Sequence, residues 1–126
     1  MINKAIYYIL SNDDPVTALV ADRIFAVTAP ENTVVPLIVF SRDSVDPIYT
    51  KSGHEADRSL VIILIFSKIY DESIAILKAV RKALELVKGE FNGVSISTSR
   101  VTGIDEGYDL EADTYYQTLL IQFINK

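Results

Sequence analysis

The only histidine, His54, lies in Ser52-Gly53-His54-Glu55-Ala56-Asp57, where a hydroxyl, an imidazole and two carboxylates fall close together. A serine triad needs the imidazole between nucleophile and orienting acid, and such groups converge from separate elements rather than from one flexible loop. Geometry, not composition, identifies a site of that kind. His54 therefore reads as a solvated loop residue, with a partner contact as the second reading. One imidazole among acids also falls short of the several His or Cys ligands that zinc takes.

Asp105, Glu106, Asp109, Glu111 and Asp113 form the densest run of acids in the chain. Oxygen donors suit calcium, but an EF-hand loop requires a glycine at its sixth position and a closing glutamate. Gly107 stands third from Asp105, so the register fails. Two readings stay open: a solvated loop, or an acidic surface that works as a lumen wall or an interface. Asp13 and Asp14 precede Pro15, which makes them helix-capping residues. The glycines at 53, 89, 93, 103 and 107 are isolated, so neither GxGxxG nor a phosphate-cradling loop is present. Lys78, Arg81 and Lys82 share a helix with Glu72 and Glu85 and read as a solvated face. Tyr7-Tyr8 and Tyr115-Tyr116 lack a surrounding basic groove, which favours edge packing or a protein interface over single-stranded nucleic acid. No catalytic residue, metal-ligand set or cofactor site emerges, and the expectation is a protein that is not an enzyme.

The elements that would position these residues follow from hydrophobic period. Ile2, Ala5, Ile6, Ile9 and Leu10 recur at helical spacing and predict a helix over 2–11; the aspartates and Pro15 open a second over Val16 to Val20. Ile24 to Val27 is a short strand. Pro36 opens Leu37-Ile38-Val39-Phe40, a stronger strand running raggedly to Ile48. Residues 49–57 read as a polar connection, and Arg58 to Ser67 as the most hydrophobic strand, with both faces covered because Leu60 to Phe66 shows no polar alternation. A long helix is expected over 71–88, with the stripe Ile74, Leu77, Val80, Leu84 and Val87 and with Gly89 as its stop. Val94 to Val101 alternates as a half-buried strand, 102–114 is an acid-rich loop or hairpin, and Tyr115 to Ile124 closes the chain. The fold class is α+β: a single domain over 1–126, mainly antiparallel sheet, with one long helix and an N-terminal helical segment packed on it.

Composition agrees. The 126 residues suit one domain, and their 49% apolar share is that of a packed globule. With no cysteine, thiolate zinc sites, iron–sulfur clusters, CxxC redox chemistry and a cysteine nucleophile are excluded. Twelve basic against 17 acidic residues give a charge of −5, which argues against phosphate backbones or anionic membranes as main partner. The longest apolar run, Leu60 to Phe66, is about a third of what a bilayer span requires, and the stretch Ala5 to Leu10 has no small-residue cleavage site after it. The expectation is a water-soluble domain without a signal peptide.

The ordered pattern adds more. Leu10, Asp13 with Val16-Thr17-Ala18-Leu19-Val20, Asp22-Arg23-Ile24-Phe25, Ala29-Pro30 and Pro36 before an apolar strand resemble the tail completion (tail terminator) family of long-tailed bacteriophages and prophages. The likeness continues through Arg58, Tyr70, Ala79-Val80-Arg81-Lys82-Ala83-Leu84, Gly93-Val94, Tyr108-Asp109, Tyr115-Tyr116 and Phe123, and departs at residues 31–35 and 105–113. The resemblance implies a virion structural protein of the tail, assembled in the host cytoplasm, without enzymatic activity or cofactor. It implies a ring, often six-fold, on the head-proximal end of the tail tube. Its partners would be further copies of itself, the tail tube protein and the head–tail connector, with no sequence-specific nucleic acid and no membrane. A different head–tail joining component and a small ligand-binding or regulatory α+β domain are the alternatives.

Overall fold

A computed structural model describes residues 1–126. Of the predicted stripe, Ile2, Ala5, Ile6 and Leu10 form the buried face of helix α1 (Ile2–Ser11), with half-buried Ile9 packed beside them. Asp13 then caps α2 (Asp14–Val20): its carboxylate accepts from the Val16 amide at 3.2 Å, and Pro15 occupies the first turn, where no amide hydrogen is needed. Strand β1 (Ile24–Ala26) runs parallel to the start of β2 (Leu37–Thr50), with Ile24 opposite Ile38. Arg23 fastens this pair, its Nε donating to the Pro36 carbonyl at 2.7 Å and its own carbonyl accepting from the Ile38 amide at 2.9 Å.

The remaining elements are β3 (Gly53–Ser67), α3 (Tyr70–Leu84), β4 (Gly89–Phe91), β5 (Val94–Asp109) and β6 (Thr114–Asn125). They complete a six-stranded mixed sheet in the order β1-β2-β3-β6-β5-β4, in which only β1 and β2 are parallel. All three helices pack on one face of it. There Ile38 and Phe40, Val61, Ile63 and Ile65, Leu119, Ile121 and Phe123 meet Ile6, Leu10, Ile76 and Val80 in one core. The α+β class and the mainly antiparallel sheet are as expected. No helix is long and apolar enough to cross a membrane.

Three local expectations are corrected. Residues 49–57 are not a polar connection: β2 and β3 pair as far as Thr50 opposite Gly53, leaving only Lys51-Ser52 to turn. Polarity there reflects strands with no core beneath them, since nearly all of these side chains are exposed. Of the two alternatives for residues 102–114, loop or hairpin, the structure has the hairpin, with β5 continuing to Asp109 opposite Thr114. Leu60 to Phe66 is not covered on both faces: Val61, Ile63 and Ile65 are fully buried, while Leu60, Ile62, Leu64 and Phe66 are half-buried and lie outside the core. An apolar run reports two apolar faces and does not say that one chain covers both.

The long helix is the third. α3 has 15 residues and ends at Leu84, so Val87 leaves the predicted stripe and Gly89 opens β4 rather than stopping a helix; within the helix Ile76 is buried in the core, while the predicted Ile74 is half-buried outside it. Buried Ser99 on β5 causes this. Its hydroxyl donates to the Leu84 carbonyl at 2.5 Å and accepts from the Val87 amide at 2.8 Å, while the Leu86 amide bonds the Ser99 carbonyl at 3.0 Å. The strand thus takes up helix-end groups that another helical turn would have satisfied. β4 was not anticipated, although Asn92-Gly93, both at positive φ, is the dipeptide that two-residue hairpins prefer. Replacing Ser99 with alanine strips a partner from two buried backbone groups. A loss of about 1–3 kcal/mol is expected, read as a melting temperature lower by roughly 5–15 °C; an unchanged midpoint would contradict the role given to this hydroxyl.

Candidate functional site

Strand directions give the sheet two chemically different ends. At one end β3 leaves for α3 and β5 turns into β6, which gathers Asp71, Asp105, Glu106, Asp109, Glu111 and Asp113 around a single nearby lysine, Lys68. At the other, Lys51, Arg58, Arg100 and Lys126 are interspersed with Asp46, Glu55 and Asp57.

The five predicted acids are brought together, and four of them are engaged locally. Glu106 accepts from the Tyr70 hydroxyl at 2.8 Å and from Gln117 Nε2 at 3.4 Å. Asp109 accepts from the amides of Glu111 (3.0 Å) and Ala112 (3.3 Å) and so shapes the turn. Asp113 accepts from the Tyr108 hydroxyl, and Asp105 from the Glu106 amide at 2.9 Å. Lys68 Nζ crosses to the Ala112 carbonyl at 3.1 Å, closing one wall of an open groove of about 440 Å³ lined by Asn32 to Val35 and Thr114. Gly107 is needed within this run because the Tyr116 ring lies across it, where a β-carbon would collide.

Between the acids runs a tyrosine chain, missed in the sequence: Tyr115 packs edge-on against Tyr70 (centroids 5.6 Å) and tilted against Tyr108 (4.9 Å). The hydrogen bond to Glu106 first, then desolvation and the Glu106 and Asp71 charges, hold the Tyr70 phenol above its ordinary value. Asp113 does the same to Tyr108, chiefly through its hydrogen bond. The folded protein thus keeps protons that the unfolded chain releases near pH 10. The stability these phenols contribute is full below about pH 10 and is lost as pH rises through their raised folded values. In the Tyr70→Phe, Tyr108→Phe double variant the unfolding midpoint is expected to fall less steeply above pH 10 than in wild type; equal slopes in a pH series would refute this.

His54 is placed at the other end. Its Nε2 lies 2.9 Å from Asp57 Oδ1 and its ring packs edge-on against Tyr49 at 5.9 Å. Ser52 contributes only its amide, to Thr50 Oγ1, so no nucleophile meets the imidazole. Lys78, Arg81 and Lys82 are exposed on α3, with Arg81 paired to Glu85 at 2.8 Å. No group of three or more His, Asp or Glu residues is arranged to hold a metal. A second open hollow, about 360 Å³, lies beside the β2 bulge at Asp43, with the unpartnered Asn3 Oδ1 close to it.

The family model described as Tail completion protein gp17 matches residues 4–124. The chain belongs to that family. It is therefore a structural protein of phage tails, as the ordered residues from Leu10 to Phe123 implied. The tail completion fold also recurs in a solved chain titled "Virion of native gene transfer agent (GTA) particle", with a TM-score of 0.83, 16% identity, and coverage of 96% of this chain and 91% of that one. At that identity the likeness shows the fold alone. No match is found among curated protein sequences. In tail completion terms, the quoted Arg23, Tyr70, Tyr108 and Tyr115 have structural work: Arg23 fastens β1, and the tyrosines join α3 to the acidic hairpin.

Proposed function

We propose that this chain caps the head-proximal end of the tail tube as a ring, ends tube polymerisation, and joins tail to head without catalysing a reaction. The observation that carries the reading is the family match over nearly the whole chain. The two unlike ends of the sheet support it, because a ring joining a tube to a connector must present two different faces along its axis. The partners are further copies of the chain, six in a ring by family resemblance, together with the tail tube protein and the head–tail connector. It works in the virion tail, after assembly in the host cytoplasm.

A ring that closed firmly before meeting its tube could not sense completion, so free copies associate weakly and bind one another on the tube end. The acidic hairpin faces the lumen or its rim, where carboxylates keep phosphates from adhering as DNA slides past. Tail length and head attachment in particles assembled without the chain test this reading.

A further inference from the structure

Two features have no partner within the chain. Strands β2 and β3 outrun the sheet: β6 accompanies β3 only as far as Asp57, opposite Asn125, and β1 pairs only with Ile38 to Phe40. Residues 47–56 therefore form a two-stranded arm, about 15 Å long at the usual rise per residue. A lone hairpin is marginally stable in water, and this one presents Tyr49 at 68% exposure, backed by His54, with Lys51 in its turn. The second feature is the sheet face opposite the helices. Leu60, Ile62, Leu64 and Phe66 of β3 stand there beside Tyr116, Leu120 and Ile124 of β6, all half-buried and none in the core or packed against it. Thr118 and Gln122 share that face of β6, but the apolar row along β3 is unbroken, and an apolar surface of this kind marks an interaction site.

We propose that the Tyr49 arm of one copy lies on this open sheet face of the next copy around the ring. The inference rests on the ring reading and names its subunit contact. Arm and face cannot meet within one chain. Tyr49 is level with His54, and Leu64 is ten residues farther along the same strand, roughly 33 Å away. Each copy thus offers one arm and one face, and the contact between them is heterologous: it repeats from copy to copy and leaves nothing unpaired only when the ring closes. Charge fits the same direction. Asp105, opposite Thr118, borders the open face at its acidic end, and Lys51 sits at the tip of the arm. An arm held only loosely by its own chain also accounts for weak association in free solution, since docking must order it.

The chain has no cysteine, which makes site-directed cross-linking clean. Tails are assembled with the double variant Tyr49→Cys, Leu64→Cys, and in parallel with Tyr49→Cys, Leu120→Cys, then treated with a short bis-maleimide. The result expected is a ladder of covalent oligomers ending at the ring number. The control pair Tyr49→Cys, Lys78→Cys, whose second site is exposed on α3 across the sheet, should give none. Tails that carry both test variants at normal abundance without a ladder would overturn the arm-on-face contact and leave the capping role standing. A ladder from the control pair as strong as from the test pairs would overturn it as well. Headed tails of normal length that contain no copy of the chain would instead overturn the capping role itself.

Discussion

Particles built with Glu111→Lys are expected to assemble with tails of normal length and to release their DNA several-fold more slowly than wild type. The effect should grow as salt is lowered. Glu111 is chosen because the hairpin does not depend on its side chain as it does on the other acids. Glu106 holds Tyr70 and Gln117, Asp109 holds the turn amides, and Asp113 holds Tyr108, so reversing those charges would disturb the hairpin before it tested the lumen. Asp105 borders the sheet face proposed to receive the next copy's arm, whereas Glu111 stands exposed at the turn. At a lumen wall each lysine would turn a repulsion of the sliding phosphates into an attraction, multiplied by the copies in the ring. The Debye length, about 8 Å at physiological salt and about 30 Å at 0.01 M, sets how far each charge is felt. Normal ejection from correctly assembled variant particles would place the hairpin on the outer wall. Failure to assemble would place it at a subunit or tube contact.

Much of this fold was legible because its strongest signals are local. The helical period of Ile2 to Leu10, the Asp13–Pro15 cap and the alternation of Leu119, Ile121 and Phe123 each report one element's own burial, and each holds. What was not legible depends on partners distant in sequence. Val87 fits a helical stripe by spacing, and only Ser99, twelve residues on, draws it away. Residues 49–57 are polar for want of a core beneath them, which from sequence looks the same as a loop. The β4 strand was the exception, since Asn92-Gly93 announced its hairpin locally.

The candidate surfaces follow the same division. The acids from Asp105 to Asp113 were visible as a composition, yet their tie to Tyr70 spans a gap that no periodicity reports. The unbroken run Leu60 to Phe66 was visible too, and its meaning changed with the fold: half of it is core, and the half that the helices leave open is a half-buried apolar face outside the core. A domain made only to be monomeric has no use for such a face, whereas a subunit of an assembly does.

The capping role predicts its largest effect when the chain is absent. Tube protein polymerises by adding like to like, so nothing in the tube itself ends growth at the head-proximal end. Without the cap, tubes should overrun their normal length and heads should find no surface to join. The direct measurement is the tail-length distribution, with the fraction of headed particles, counted by electron microscopy in assemblies made with and without the chain. A broad distribution extending beyond the normal length, with headed particles reduced at least tenfold and both restored by adding the chain back, is the result expected. Tails of normal length joined to heads in its absence would contradict the account.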